Sequence, residues 1–293
     1  MKWEGGRESD NVDDQRGAGG GGMRLGAGRL GIGGIAVVVV LSLIMGKDPI
    51  QMLGMLGQMD GGAPAQTQEQ TQPQGSSKED HDSKFVRVIL GSTEDVWKAQ
   101  FDQGDQSYIP PHLLMFSGSV QTACGGATAA SGPFYCPGDQ QVYLDTSFFD
   151  EMKSRLGGGG DFANAYVIAH EVGHHVQTLL GYSKNVDSVR AHGGSIEGDN
   201  GPSVRLELQA DCFAGVWAHD AQQKMKWLEE GDIEQALSTA TAIGDDRLQK
   251  QAQGTVVPDS FTHGTSAQRV KWFKTGFEEG KVAKCDTFAA SAL

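Results

Sequence analysis

A chain of 293 residues with 38% hydrophobic content is long enough to bury the core of one large domain or two small ones. Its formal net charge of −13 argues against a nucleic-acid partner. Glycine is abundant at 42 residues, but it gathers near the N-terminus, in Gly157 to Gly160 and in loops, so the rest of the chain keeps a globular composition.

Residues 1–29 mix Glu, Asp, Arg and Gly, including Gly19 to Gly22, without apolar periodicity, and they read as a disordered tail. Residues 30–46, LGIGGIAVVVVLSLIMG, carry no charge and are bracketed by Arg29 and Lys47. A run of about 17 such residues is at the short end of what crosses a bilayer as a helix, and one transmembrane helix is expected here. A cleaved signal peptide competes with that reading, but no small-x-small site follows the run directly. Arg16, Arg24 and Arg29 on the N-terminal side outweigh Lys47 on the other. That bias places the tail in the cytoplasm and the rest of the chain beyond the inner (plasma) membrane, in a periplasmic or extracytoplasmic space. Residues 47–84, with QTQEQTQPQGSS at their centre, read as a flexible linker.

Folded sequence is expected over residues 85–293. Phe85 to Leu90 reads as a short strand, followed by a helix capped by Ser92 or Thr93 and running through Val96, Trp97 and Phe101. Leu113 to Val120 and Gln140 to Leu144 read as further strands, and Thr146 opens a helix through Phe148, Phe149 and Met152. Between the strands, Cys124 and Cys136 enclose a small-residue loop that suits a local disulfide. Cys212 and Cys285 form a second one or stay free. No Cys-x-x-Cys pair is present, which excludes a zinc ribbon.

Asp161 to Gly181, DFANAYVIAHEVGHHVQTLLG, has apolar residues at helical spacing and a glycine stop. Within it His170 and His174 are four apart, so both imidazoles stand on one face and can grip one metal ion. Glu171 points past the metal, where a carboxylate can take a proton from an activated water. His175 is rotated about 100° from His174 and reads as a packing or hydrogen-bonding residue.

Catalytic zinc usually takes three protein ligands, so one must come from elsewhere. A His six residues beyond His174 is ruled out, because that position is Leu180. Ser203 begins a second helical pattern, SVRLELQADCFAGVWAHD, in which Glu207 and Asp211 share a face. The assignment taken is Glu207 as ligand and Asp211 behind it, accepting the outer N–H of a ligating imidazole. The reverse assignment and a plain solvated acidic face stand as alternatives. Residues 181–202 form a long loop and a candidate lid. Ile233 to Ile243 and Ala267 to Phe277 complete the core as helices.

YCPGDQQVYLD, AHEVGHHVQ, ELQADCFAGVWA, FTHGTSAQRVKWF and the charge-flanked apolar run together resemble the bacterial neutral zinc metallopeptidases of the YpfJ-like family. The resemblance spans about Phe85 to Cys285. It implies an α+β, zincin-like domain, mainly helical with a small sheet before the metal-binding helix. It also implies a gluzincin-type peptidase with one Zn2+ on His170, His174 and Glu207, acting on peptide or protein substrates. The gluzincin pattern of a Thr-His pair followed by a helical Arg is similar to Thr262, His263 and Arg269, which makes His263 a candidate oxyanion donor. Gly264 stands where that pattern commonly has Pro. The competing expectation is a zinc-stabilised envelope binding or scaffold protein with little turnover.

Overall fold

The computed structural model describes residues 1–16, 77–156, 159–289, 291 and 293. The expected transmembrane helix (30–46) and most of the expected linker lie outside the described residues. Among the described residues, no helix is long and apolar enough to cross a membrane.

The fold is α+β and mostly helical. Strand β1 is Val12–Asp14 and helix α1 is Ser77–Phe101. They are followed by β2 (His112–Met115), the hairpin β3 (Ser119–Thr122) and β4 (Gly125–Thr128), then β5 (Phe134–Cys136) and β6 (Gln141–Leu144). Helix α2 (Ser147–Glu151) runs on as a π turn over Met152–Leu156. The remaining helices are α3 (Asp161–Leu180), α4 (Ser183–Ala191), α5 (Pro202–Met225), α6 (Asp232–Ala242), α7 (Asp245–Gln253) and α8 (Ser266–Glu279).

Helix α3 is the central element. Fourteen of its 20 residues are buried, so it is enclosed on nearly every side rather than along one stripe. Gly181, at φ 82°, ends it in the left-handed conformation that a Cβ would penalise. Trp97 of α1, Phe162 and Tyr166 of α3, Phe213 and Trp217 of α5 and Phe273 of α8 fill the centre of the core, all fully buried. Glycines let the ligand-bearing helices approach backbone to backbone. A Cβ on Gly173 of α3 would lie 3.1 Å from the Ala210 carbonyl oxygen of α5. Gly215 of α5 and Gly276 of α8 face each other's backbones too closely for any side chain. The Cys212–Cys285 disulfide ties α5 to the C-terminal segment, and Cys124–Cys136 ties the β3–β4 turn to β5.

The main sheet has the order β1-β2-β6-β5, parallel except for β5. Both β1 and β5 are edges. The presence of β1 corrects the expected disordered tail over residues 1–16. Trp3 is 2% exposed and stacks edge-on against Phe85, while Val12 pairs with Leu113. This segment lacks periodicity because only scattered residues (Trp3, Ser9, Val12) face the core and the others make polar contacts.

Four further expectations are corrected. Phe85 to Leu90 lies within α1 rather than in a strand, and α1 begins at Ser77, inside the expected linker. The apolar run Val86, Val88, Ile89 and Leu90 is fully buried, and a helix buried all round gives the same continuous pattern as a buried strand. Ser92 and Thr93 do not cap this helix; their hydroxyls donate to the Ile89 and Leu90 carbonyls within it. The 181–202 loop contains α4, and Asp245–Gln253 adds a helix that periodicity had not indicated.

Candidate metal centre

Spacing on α3 puts His170 and His174 one turn apart, and α5 crosses beside them carrying Glu207 and Asp211. His170 Nε2 lies 3.2 Å from His174 Nε2 and 3.2 Å from Glu207 Oε2. His174 Nε2 is 3.4 Å from the same carboxylate oxygen. Among the described residues this is the one cluster of three or more His, Cys, Asp or Glu side chains whose ligand atoms converge.

The protons of this cluster follow from the groups behind it. His170 Nδ1 is 2.9 Å from a carboxylate oxygen of Asp211, which can only accept, so Nδ1 carries the hydrogen. The side-chain amide nitrogen of Gln177 donates to the Leu206 carbonyl (2.6 Å) and to Gln209 Oε1 (3.1 Å). That orientation leaves Gln177 Oε1 to accept from His174 Nδ1 at 2.9 Å. Nε2 of each imidazole therefore faces the other ring and the Glu207 carboxylate; burial disfavours a charged ring here, but Asp211 and Glu207 outweigh it, raising the His170 pKa to about 10 and the His174 pKa above its ordinary value. Two imidazole nitrogens and a carboxylate oxygen converging in a site that favours positive charge suit a metal cation, which would take the place of the Nε2 protons. A tetrahedral zinc with bonds of ~2.0–2.1 Å would hold its ligand atoms about 3.3 Å apart, which matches the spacing found.

Asp211 is fully buried and is held from three sides. Arg269 of α8 donates to both carboxylate oxygens at 2.9 Å, the Tyr166 hydroxyl donates to Oδ1, and His170 completes the set. Burial alone would raise the Asp211 pKa, but Arg269 and His170 outweigh it and bring it down to about 2. Arg269 thus points into the wall behind the histidines and fixes Asp211. Sequence had linked Arg269 only to the Thr-His pattern.

Glu171 is 8% exposed and opens onto the same cleft as the two histidines. Burial pushes its pKa up, against the opposing pull of His170 and His174, and the Tyr135 backbone N–H of edge strand β5 hydrogen-bonds its carboxylate. A raised pKa suits a group that must accept and then return a proton near neutrality. The cleft holds about 590 Å³ and is walled by Phe134 and Tyr135 of β5, Val167 of α3, Leu248 of α7 and His263.

His263 reaches this cleft from the loop before α8, with its side chain half exposed. Sequence reasoning missed the residue that holds it. Asp245, first residue of α7, accepts the backbone N–H groups of Thr262 (2.7 Å), His263 (2.6 Å) and Gly264 (3.0 Å). Its other oxygen is 3.4 Å from His263 Nδ1, and this contact raises the His263 pKa. An acid that opens a short polar helix gives no periodic signal, so no feature of the sequence singled Asp245 out. Gln177 and Gln209 were missed for a related reason: they are amides inside helices that read only as apolar. His175 lies outside the cluster and bonds the Ile109 carbonyl and the Tyr135 hydroxyl, as its position on the helix implied.

Comparisons with known proteins identify the family. The sequence profile of the family described as "Putative neutral zinc metallopeptidase" matches residues 1–288. An uncharacterised protein of Escherichia coli strain K12, YpfJ, is 50% identical over 297 residues, covering 99% of this chain and all of its own length. An uncharacterised protein of Mycobacterium bovis, Mb2605, is 44% identical over 225 residues, covering 72% of this chain and 73% of its own. No solved structure matches. By the extent of these matches the chain belongs to that metallopeptidase family.

Proposed function

We propose that this member of the neutral zinc metallopeptidase family is an active endopeptidase, with His170, His174 and Glu207 as the zinc ligands. The observation that carries the reading is the convergence of two imidazole Nε2 atoms and a carboxylate oxygen at 3.2–3.4 Å beside a further, buried glutamate. Zinc held there would supply a Lewis acid for the scissile carbonyl and for the attacking water. Glu171 would take the proton from that water and deliver it to the leaving amine, at the floor of the cleft that Val167 and β5 wall. β5 is an edge of the sheet along the cleft, and an extended peptide would lie beside it as an added strand, sharing that edge with Glu171, which already takes the Tyr135 N–H. His263, held at the cleft wall by Asp245, would donate to the oxyanion as the carbonyl turns tetrahedral. Asp211 and Gln177 set the tautomers of the two histidines.

Two disulfides support work in an oxidising compartment outside the cytoplasm. The uncharged run at 30–46 is proposed to bring the protein to the membrane. The test uses the full chain, loaded with zinc, on a mixed peptide library, with and without chelator. Cleavage that stops with chelator and returns with zinc is expected, and Glu171→Gln should keep its zinc while losing turnover. A zinc-loaded wild type that cleaves nothing would favour the scaffold reading, in which the cleft captures extended segments without hydrolysing them.

A further inference from the structure

The N-terminal 16 residues are built into the metal-site domain, and that has a topological consequence. Leu113 N–H donates to the Asn11 carbonyl at 2.8 Å and Gln15 N–H to the Met115 carbonyl at 2.9 Å, so β1 is a fully paired parallel strand. Upstream of it, Arg7 bonds the Gly91 carbonyl (2.8 Å), Glu94 (2.7 Å) and Asp95 (2.8 Å), and Ser9 N–H bonds the Arg87 carbonyl at 2.9 Å. The Trp3 indole N–H donates to Asp161 at 2.8 Å, at the first turn of the helix that carries His170 and His174. Gly6 lies so close to Val88 and Trp227 that any side chain would collide with them.

A chain whose two flanks belong to one folded unit crosses a bilayer an even number of times or not at all. The sequence between residues 16 and 77 carries a single uncharged run of membrane length, at 30–46. Residues 47–76 are rich in Gln, Gly and Pro and contain no second one. One crossing at that run, with the N-terminus on one side and the metal site on the other, is the topology the arginine bias predicts, and it would tear β1 from β2. We propose that residues 1–16 occupy the same compartment as the metal site, as the edge strand of its sheet, and that the uncharged run does not separate them.

Sidedness can be read directly on the full chain in cells. All four native cysteines are in disulfides, and labelling of the parent chain without an added cysteine is subtracted so that only the new thiol is read. Gly5→Cys, exposed with open space around its Cβ, and Gln251→Cys, exposed at the end of α7, are labelled separately with a membrane-impermeant maleimide before and after lysis. The expected result is the same pattern at both positions, whether both react in intact cells or both only after lysis. Opposite patterns would overturn the proposal. A second measurement does not depend on either label. Asp13 and Leu114 are register partners, and neighbouring strands sit ~4.8 Å apart, within disulfide range. Asp13→Cys with Leu114→Cys, oxidised in membranes and then cut at a protease site inserted in residues 47–76, should give fragments that part only on reduction. Fragments that part without reductant would overturn it.

Discussion

Replacing Asp211 with Asn tests the wall behind the metal cluster. The carboxylate takes two hydrogen bonds from Arg269 at 2.9 Å, one from Tyr166 and one from His170, in a site with no exposed surface. An amide turns one of those oxygens into a donor that faces another donor, and it leaves the Arg269 guanidinium as a buried charge without a counter-ion. Breaking a buried pair from one side costs about 3–5 kcal/mol. At roughly 2–4 °C per kcal/mol for a domain of this size, the metal-free protein should melt about 6–20 °C lower. His170 also loses the charged acceptor that fixes its tautomer, which should weaken zinc binding about 10–100-fold. Calorimetry reads the first effect. Competition against a chromophoric chelator at low temperature, where the variant remains folded, reads the second. Asp211→Leu with Arg269→Leu should recover stability relative to Asp211→Asn, since no lone charge remains, but should not recover zinc affinity. Unchanged zinc affinity in folded Asp211→Asn would refute the orienting role, and an unchanged melting point would refute the buried ion pair.

Glu207→Ala should lower bound zinc from about one equivalent to a small fraction with the fold intact; elemental analysis of the purified protein decides it. Asp245→Ala removes the acceptor of three backbone N–H groups and frees His263. Turnover should fall by about tenfold or more at unchanged zinc content, short of the ~10²–10³ that losing an oxyanion donor costs, as kcat measurements would show. Trp3→Ala should cost about 3–5 kcal/mol in denaturant unfolding of the full chain, because it empties a core site 2% exposed; a loss under 1 kcal/mol would return residues 1–16 to the status of a tail. Opening the Cys212–Cys285 link, which spans 73 residues, by Cys212→Ser with Cys285→Ser should cost about 4 kcal/mol by the same measurement.

The chemistry-bearing part of the site was legible because helical periodicity fixes what shares a face. Spacing alone puts His170 over His174 and Glu207 over Asp211, and a zinc ion's need for a third ligand links the two helices. Cys124 and Cys136 were legible as a pair because the loop between them is short. What escaped was whatever depends on long-range contact. Trp3 and Val12 become core residues only through Phe85 and Leu113, which are 82 and 101 positions away in the chain. Asp245 matters only because the Thr262–Gly264 loop folds onto it. Phe85 to Leu90 was misread because alternation and helical periodicity both vanish when an element is enclosed on all sides.

The close contacts at Gly173, Gly215 and Gly276 decide how the cluster can and cannot adjust. Where main chains touch, there are no intervening side chains to repack: Gly173 seats α3 directly on α5, Gly215 and Gly276 seat α5 on α8, and the separation of His170 and His174 from Glu207 is set by that backbone contact. An ion that demands longer bonds would have to be met by side-chain rotation alone, since the scaffold has no slack to widen. Any preference among ions would then be set by backbone spacing, and exchanging one ligand type for another would be an easier evolutionary route to a different ion than moving the helices apart.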